Sequence, residues 1–167
     1  MNEIADLVTQ FQLLPHPEGG YYRETYRSNL IINQQSLPTG FDGDRNSSTA
    51  IYFLLEKGNF SAFHRIKSDE GWHFYAGQAL LIYVINDQGE IEVIKLGNNM
   101  KNGEVFQAIV PANCWFASEP AKESDYCFVG CTVSPGFDFN DFELAQAAEL
   151  MAIYPNHSQL IQRLCRQ

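Results

Sequence analysis

Between Thr49 and Val133 the chain is a succession of short apolar runs broken by turn signals, and this pattern constrains the fold most. The runs are Thr49–Leu55, Phe60–Ile66, Trp72–Ala76, Ala79–Ile85, Ile91–Leu96, Val105–Val110, Trp115–Ala117 and Tyr126–Val133. Lys57-Gly58, Asp69-Glu70-Gly71, Asn86-Asp87-Gln88-Gly89 and the stretch Asn98 to Gly103 punctuate them. Many short strands at this spacing predict an all-β sandwich or barrel. The flanks read differently. Ile4, Leu7, Val8, Phe11 and Leu14 recur at helical spacing, and Pro15 stops that helix. Gly19-Gly20 reads as a turn, Tyr21 to Arg27 as a strand, and Leu30 to Asn46 as a long loop. Phe142 to Tyr154 reads as a helix capped by Asn140 or Asp141, and Ser158 to Cys165 as a last short one after Pro155. At 167 residues the chain suits one domain. Its expected parts are an N-terminal helix over 1–15, a β barrel over 20–134 and C-terminal helices over 140–167.

Composition narrows the function classes. Apolar residues make up 45%, enough for one packed core. A net charge of −9 argues against a nucleic-acid partner, whose binding rests on Lys and Arg neutralising phosphates. A small anionic ligand stays compatible, because a pocket's local field can oppose the net charge. No apolar run approaches the roughly 20 residues of a membrane helix. The opening MNEIADLVTQ has acidic residues where a secretion signal has basic ones. Cys114, Cys127, Cys131 and Cys165 form no CxxC pair. They read as reduced thiols of a cytoplasmic protein.

The stretch Gly58 to Gly77, GNFSAFHRIKSDEGWHFYAG, resembles the first motif of the cupin superfamily, G-x5-H-x-H-x3/4-E-x6-G. His64, Glu70 and Gly77 fall at the motif's spacings, while Ile66 replaces its second histidine. Gly103 to Phe116 echoes the second motif, with two extra residues before Pro111, Asn113 in place of a glycine and Phe116 in place of the histidine. A closer resemblance is to one branch of that superfamily, Cupin_5 (DUF985). The segments LPHPEGGYYRETYRS, STAIYFLL, FHRIKSDEGWHFYAG, VPANCWFA and VGCTVSPGFDFNDFEL carry it in the family's order. The resemblance implies a mainly β, cupin-type jelly-roll barrel, a small-molecule pocket inside it, and a homodimer.

The residues themselves suggest chemistry. His64 and Ile66, two apart on a strand, share a face. With Ile66 and Phe116 at ligand positions, only His64 and Glu70 of the usual metal set remain, so no metal or other cofactor is expected. One alternative stays open. On a regular strand His73 faces away from Glu70 as a surface histidine, but a bulge would turn it inward. His64, Glu70 and His73 would then form a two-His, one-carboxylate site for a divalent ion, as in a dioxygenase-like cupin. Without metal, His64 and Glu70 suit acid/base work next to a carbonyl, as in an epimerase or isomerase acting on a sugar derivative. They equally suit a pocket that only binds. Arg23 is a candidate for an anionic ligand group, or for a salt bridge or interface contact. Trp72 and Phe74 share the parity of Glu70 and are expected to line the pocket with Ile66. Trp115 and Phe116 are expected to close it from the other sheet, although plain core remains the alternative for each.

Overall fold

In the computed structural model, which describes residues 3–166, the eight apolar runs are eight strands. They are β5 (Thr49–Glu56), β6 (Ser61–Arg65), β7 (Asp69–Gly77), β8 (Leu80–Ile85), β9 (Ile91–Leu96), β10 (Gln107–Val110), β11 (Trp115–Pro120) and β12 (Tyr126–Ser134). Before them come α1 (Glu3–Gln10), β1 (Leu14–Pro15), β2 (Tyr21–Arg27), β3 (Ile31–Ile32) and β4 (Arg45–Asn46). After them come β13 (Glu143–Leu144), α2 (Ala147–Ile153) and α3 (Ser158–Arg163). The ends of the predicted helices at Met1, Asn2 and Gln167 lie outside the described residues.

Two antiparallel sheets form the jelly roll, in the orders β1-β2-β5-β12-β7-β10 and β13-β6-β11-β8-β9. The strands read as apolar runs rather than strict alternation because several are covered on both faces. Inside, Phe53, Trp72, Phe116, Leu80, Ile82 and Val129 pack between the sheets. Fully burying each large side chain contributes about 2–3 kcal/mol. Outside the six-stranded sheet, Leu7, Val8 and Phe11 of α1 cover Leu54, Tyr126 and Phe128. Outside the five-stranded sheet, Leu150 of α2 and Ile161 of α3 cover Phe63, Ile85 and Ala117.

Three boundaries differ from the sequence reading. The first helix ends at Gln10, not Leu14. Gln12 takes a left-handed φ of 52°, and the Gln12 and Leu13 N–H groups donate back to Thr9 and Val8 (3.3 and 2.9 Å). That is a Schellman stop, and it frees Leu14 and Pro15 to pair with Tyr22 and Tyr21. The helix expected from Phe142 starts at Ala147 instead. Glu143 and Leu144 are drawn into β13, opposite Arg65 and His64, and Arg65 Nε donates to Glu143 Oε2 (2.7 Å). The stretch expected as a plain loop holds the β3–β4 hairpin, closed by buried Arg45. Arg45 donates to both oxygens of buried Asp141 (2.7 Å each) and to Asp42 (2.6 Å). Loop and C-terminal segment are thereby fastened together beside one end of the barrel. Among the described residues, no helix is long and apolar enough to cross a membrane.

Candidate functional site

A cavity of about 330 Å³ opens at that end of the barrel. Its floor is made of His16, Glu18, His64, Ile66, Glu70 and Cys131. Tyr22, Glu24 and Arg27 of β2 and Thr49 and Ile51 of β5 form one wall, and Phe137, Asp138, Phe139 and Phe142 another.

The β1–β2 hairpin delivers two floor groups. His16 N–H donates to Gly20 O (2.9 Å), and Gly19 N–H to His16 O (3.0 Å). Gly19 and Gly20 sit at φ of 117° and 77°, where a Cβ would come 2.0 Å from Phe60 O and 2.5 Å from Leu54 O. Only glycine fits the close approach that presses this turn onto β5 and the entry to β6. Ala62 completes the anchor, its N–H donating to Glu18 O (3.1 Å).

The same Ala62 sets the protonation of His64. Its carbonyl lies 2.7 Å from His64 Nδ1. A carbonyl only accepts, so Nδ1 carries the proton. In the neutral ring Nε2 is then a lone pair, and it lies 3.0 Å from Glu18 Oε2. Buried Glu18 Oε2 has no hydrogen bond of good geometry. A protonated Glu18 therefore stands within reach of a free lone pair, with no hydrogen bond between the two in this arrangement. His16 is fixed in the opposite tautomer. The Glu18 backbone N–H donates to His16 Nδ1 (3.2 Å), so that nitrogen is unprotonated, although Glu18 Oε1 is only 3.5 Å away. The backbone donor has no other role available, so we read this contact as a hydrogen bond and not an ion pair.

Burial drives every group on this floor toward its neutral form. The His64 ring lies between Phe116 and Phe142, with centroids 4.1 and 5.3 Å away, and desolvation lowers its pKa to about 3. Desolvation lowers His16 to about 4. Burial, joined by the charge of Glu70, raises Glu18 well above 4.5. Burial raises Glu70 to about 7, with partial relief from the neighbouring Trp72 indole and Cys131 thiol. Neither Glu70 Oε2 nor Trp72 Nε1 has a partner in hydrogen-bonding geometry.

Of the residues singled out in the sequence, the structure places His64, Ile66 and Glu70 in one cavity. It places others elsewhere. Arg23 points outward and donates to Gln12 Oε1 (3.0 Å). The cause is a bulge at Thr25: Glu24 pairs with Ile51 but Tyr26 with Ala50, so Arg27 turns inward where regular parity would group it with Arg23. Trp72 and Phe116 fill the barrel behind the cavity, edge to face with centroids 6.2 Å apart, and Phe74 packs beside them. Trp115 lies on the outer face, under the Arg65 guanidinium (4.4 Å) and against the C-terminal helices. His73 also stays outside. Its Nε2 lies 2.9 Å from Thr132 Oγ1, and the β7 irregularity falls beyond it, between Phe74 and Ala76. The set His64, Glu70 and His73 is therefore not assembled.

The cupin metal site does not fit these residues. Ile66 and Phe116 occupy two ligand positions, and His64 Nδ1 is engaged with Ala62 O while Glu18 Oε2 stands 3.0 Å in front of Nε2. Among the described residues no group of three His, Cys, Asp or Glu side chains is arranged to hold a metal ion.

Sequence reasoning missed His16, Glu18, Arg27 and the 137–142 wall. HPEGG did carry a signal: His16 and Glu18 alternate ahead of two glycines, so a tight hairpin presents both on one side.

Comparison with known proteins agrees with this architecture. The family Cupin_5, described as Cupin superfamily (DUF985), matches residues 5–145. The uncharacterized protein YML079W of Saccharomyces cerevisiae is 35% identical over 152 residues, 84% of this chain and 74% of that one. A hypothetical protein from Leishmania major superposes with a TM-score of 0.86 at 34% identity, covering 98% of both chains. Protein SO0799 from Shewanella oneidensis gives 0.84 at 43% identity over 96% of each. Oxalate decarboxylase from Bacillus subtilis shares the fold alone, at 16% identity and a TM-score of 0.54 over 90% of this chain and 36% of that one.

Proposed function

Because the chain belongs to the Cupin_5 (DUF985) family of the cupin superfamily, yet keeps only His64 and Glu70 of the metal-binding motif, we propose that it moves protons on a small polar metabolite without a metal. The observation that carries this reading is the tautomer of His64, held by Ala62 O, with its free Nε2 3.0 Å from Glu18 Oε2. With burial favouring its protonated form, Glu18 supplies a transferable proton beside that lone pair, next to a second carboxyl poised near neutrality.

The reaction class is isomerisation or epimerisation next to a carbonyl. Glu70, with a pKa raised to about 7, is half ionised at neutral pH and takes a proton from the carbon beside the carbonyl. The C–H electron pair forms the C=C bond of an enol, and the carbonyl π pair moves onto oxygen. That oxygen receives the proton of the Glu18 carboxyl beside His64. For an epimer, Glu70 returns its proton to the other face of the same carbon while the enol O–H gives its proton back to Glu18. For an isomer, Glu70 protonates the former carbonyl carbon while the hydroxyl on the first carbon passes its proton to Glu18, and in both cases the two carboxyls are reset. Phe116 and Phe142 exclude water from His64 throughout. A cavity of about 330 Å³ is at the small end for ligand sites, so the substrate is of monosaccharide size.

The test is solvent isotope incorporation. In D2O the protein is incubated with a panel of aldoses, hydroxyketones and amino sugars, and NMR follows the C–H positions beside the carbonyl. Deuterium should enter one panel member. Glu70→Gln should abolish entry, and His64→Gln should lower its rate at least 100-fold with little change in affinity. A panel member that stabilises the fold on binding, with deuterium entering none, would make this a binding protein.

A further inference from the structure

The mouth of the cavity says what charge its ligand carries. Arg27 is the one cationic side chain lining it among the described residues, and its five N–H donors are all in use. Nε and Nη2 donate to the two oxygens of Glu24 (3.0 and 2.8 Å). Nη1 donates to Asn46 Oδ1 (2.9 Å), and Nη1 and Nη2 both donate to Phe137 O (3.2 Å each). Arg27 is thus neutralised by Glu24 and offers no donor to a substrate carboxylate or phosphate. The charge that remains is that of Asp138 beside Arg27, above the polar but largely neutral Glu18 and Glu70, each with a buried oxygen lacking a hydrogen bond.

The wall beside Asp138 is aromatic. Phe137, Phe139 and Phe142 all line the cavity, and their planes meet at 83°, 66° and 69°. The rings pack on one another edge to face and form one continuous aromatic wall. Their centroids are 5.0, 6.4 and 6.2 Å apart. Phe139 is 54% exposed, an apolar surface left open at the entrance.

The geometry points to a cationic ligand: an amine or quaternary ammonium group seated against the aromatic wall at exposed Phe139, beside the Asp138 carboxylate, with a polar tail reaching down to Glu70 and Glu18. This rests on the reading of the cavity as a ligand site and names the class of substrate for it. An amine-bearing hydroxycarbonyl compound meets both.

Calorimetric titration with three probes of one shape tests it: choline, its neutral carbon analogue 3,3-dimethylbutan-1-ol, and the anion 3,3-dimethylbutanoate. Choline should bind at least tenfold more tightly than the alcohol, and the anion not at all. Asp138→Asn keeps the Oδ1 that accepts from Asn140 N–H (2.9 Å), so the local turn survives while the charge goes. It should weaken choline about fivefold and leave the alcohol unchanged. Phe139→Leu keeps apolar bulk without the ring face and should do the same. No choline binding at 10 mM, equal binding of the three, preference for the anion, or choline affinity unmoved by both substitutions would each overturn the inference. Deuterium incorporation alongside any of those results leaves proton transfer standing and removes only the cation. Choline selectivity without incorporation removes only the catalysis.

Discussion

At pH 6 the two histidines and two carboxyls on the cavity floor hold their protons in the reverse of the order they have in water. The histidines are neutral and the carboxyls protonated, because burial lowers His64 and His16 to about 3 and 4, raises Glu70 to about 7 and raises Glu18 well above 4.5. This has a measurable consequence for stability. Between pH 4.5 and 6.5, the ordinary values of Glu and His, the unfolded chain binds protons on the two histidines and not on the two carboxyls. The folded protein does the opposite. Each buried histidine alone makes stability rise with pH, since the unfolded state holds the extra proton; each raised carboxyl alone makes it fall. The four contributions cancel, two against two. Denaturant unfolding should therefore be nearly independent of pH from these groups. Glu70→Gln should introduce a rise of about 1.4 kcal/mol per pH unit across that window, and His64→Gln a fall of similar size. Slopes of the same sign in the two variants would contradict the proton inventory.

At the scale of elements, the site is assembled by short irregular pieces fastened to regular strands. The hairpin carrying His16 and Glu18 is fixed by Gly19, Gly20 and Ala62. The wall of Phe137, Asp138, Phe139 and Phe142 is held through its turn at Asp141, which Arg45 grips and Lys67 approaches at 3.3 Å. Breaking that buried pair leaves a carboxylate in low dielectric with only Lys67 nearby. Arg45→Ala should cost about 3 kcal/mol of stability and loosen ligand binding as the wall shifts, read by urea unfolding and by titration. A change under 0.5 kcal/mol would show that the segment is held otherwise. These pieces are also where the sequence was least legible. His64 and Glu70 lie on strands whose spacing and parity are regular. Arg27 faces the cavity through a one-residue bulge at Thr25, and no local preference around Thr25 marks it. Leu144 has good helix propensity, yet pairing with His64 pulls it into β13. Parity also reports only which side of a sheet a residue faces. Trp72 and Phe74 do point inward, but aromatic packing fills that depth, and the cavity lies nearer the hairpin.

For the whole molecule, the barrel itself was readable because eight apolar runs and three flanking helices all call for the same layered solution. Closing two sheets on each other, with helices outside both, creates the dry interior that no single residue supplies. The substitution of Ile66 and Phe116 for metal ligands makes sense in that setting: the space goes to apolar packing against His64 rather than to coordination. The account depends on that shell keeping His64 neutral and Nδ1-protonated. ¹⁵N NMR of the histidine side chains from pH 8 to pH 5 tests it most directly. His64 should stay in the Nδ1–H form, with an unprotonated Nε2 and no titration across the range. A His64 that titrates near 6.5, or that carries its proton on Nε2, would contradict the account.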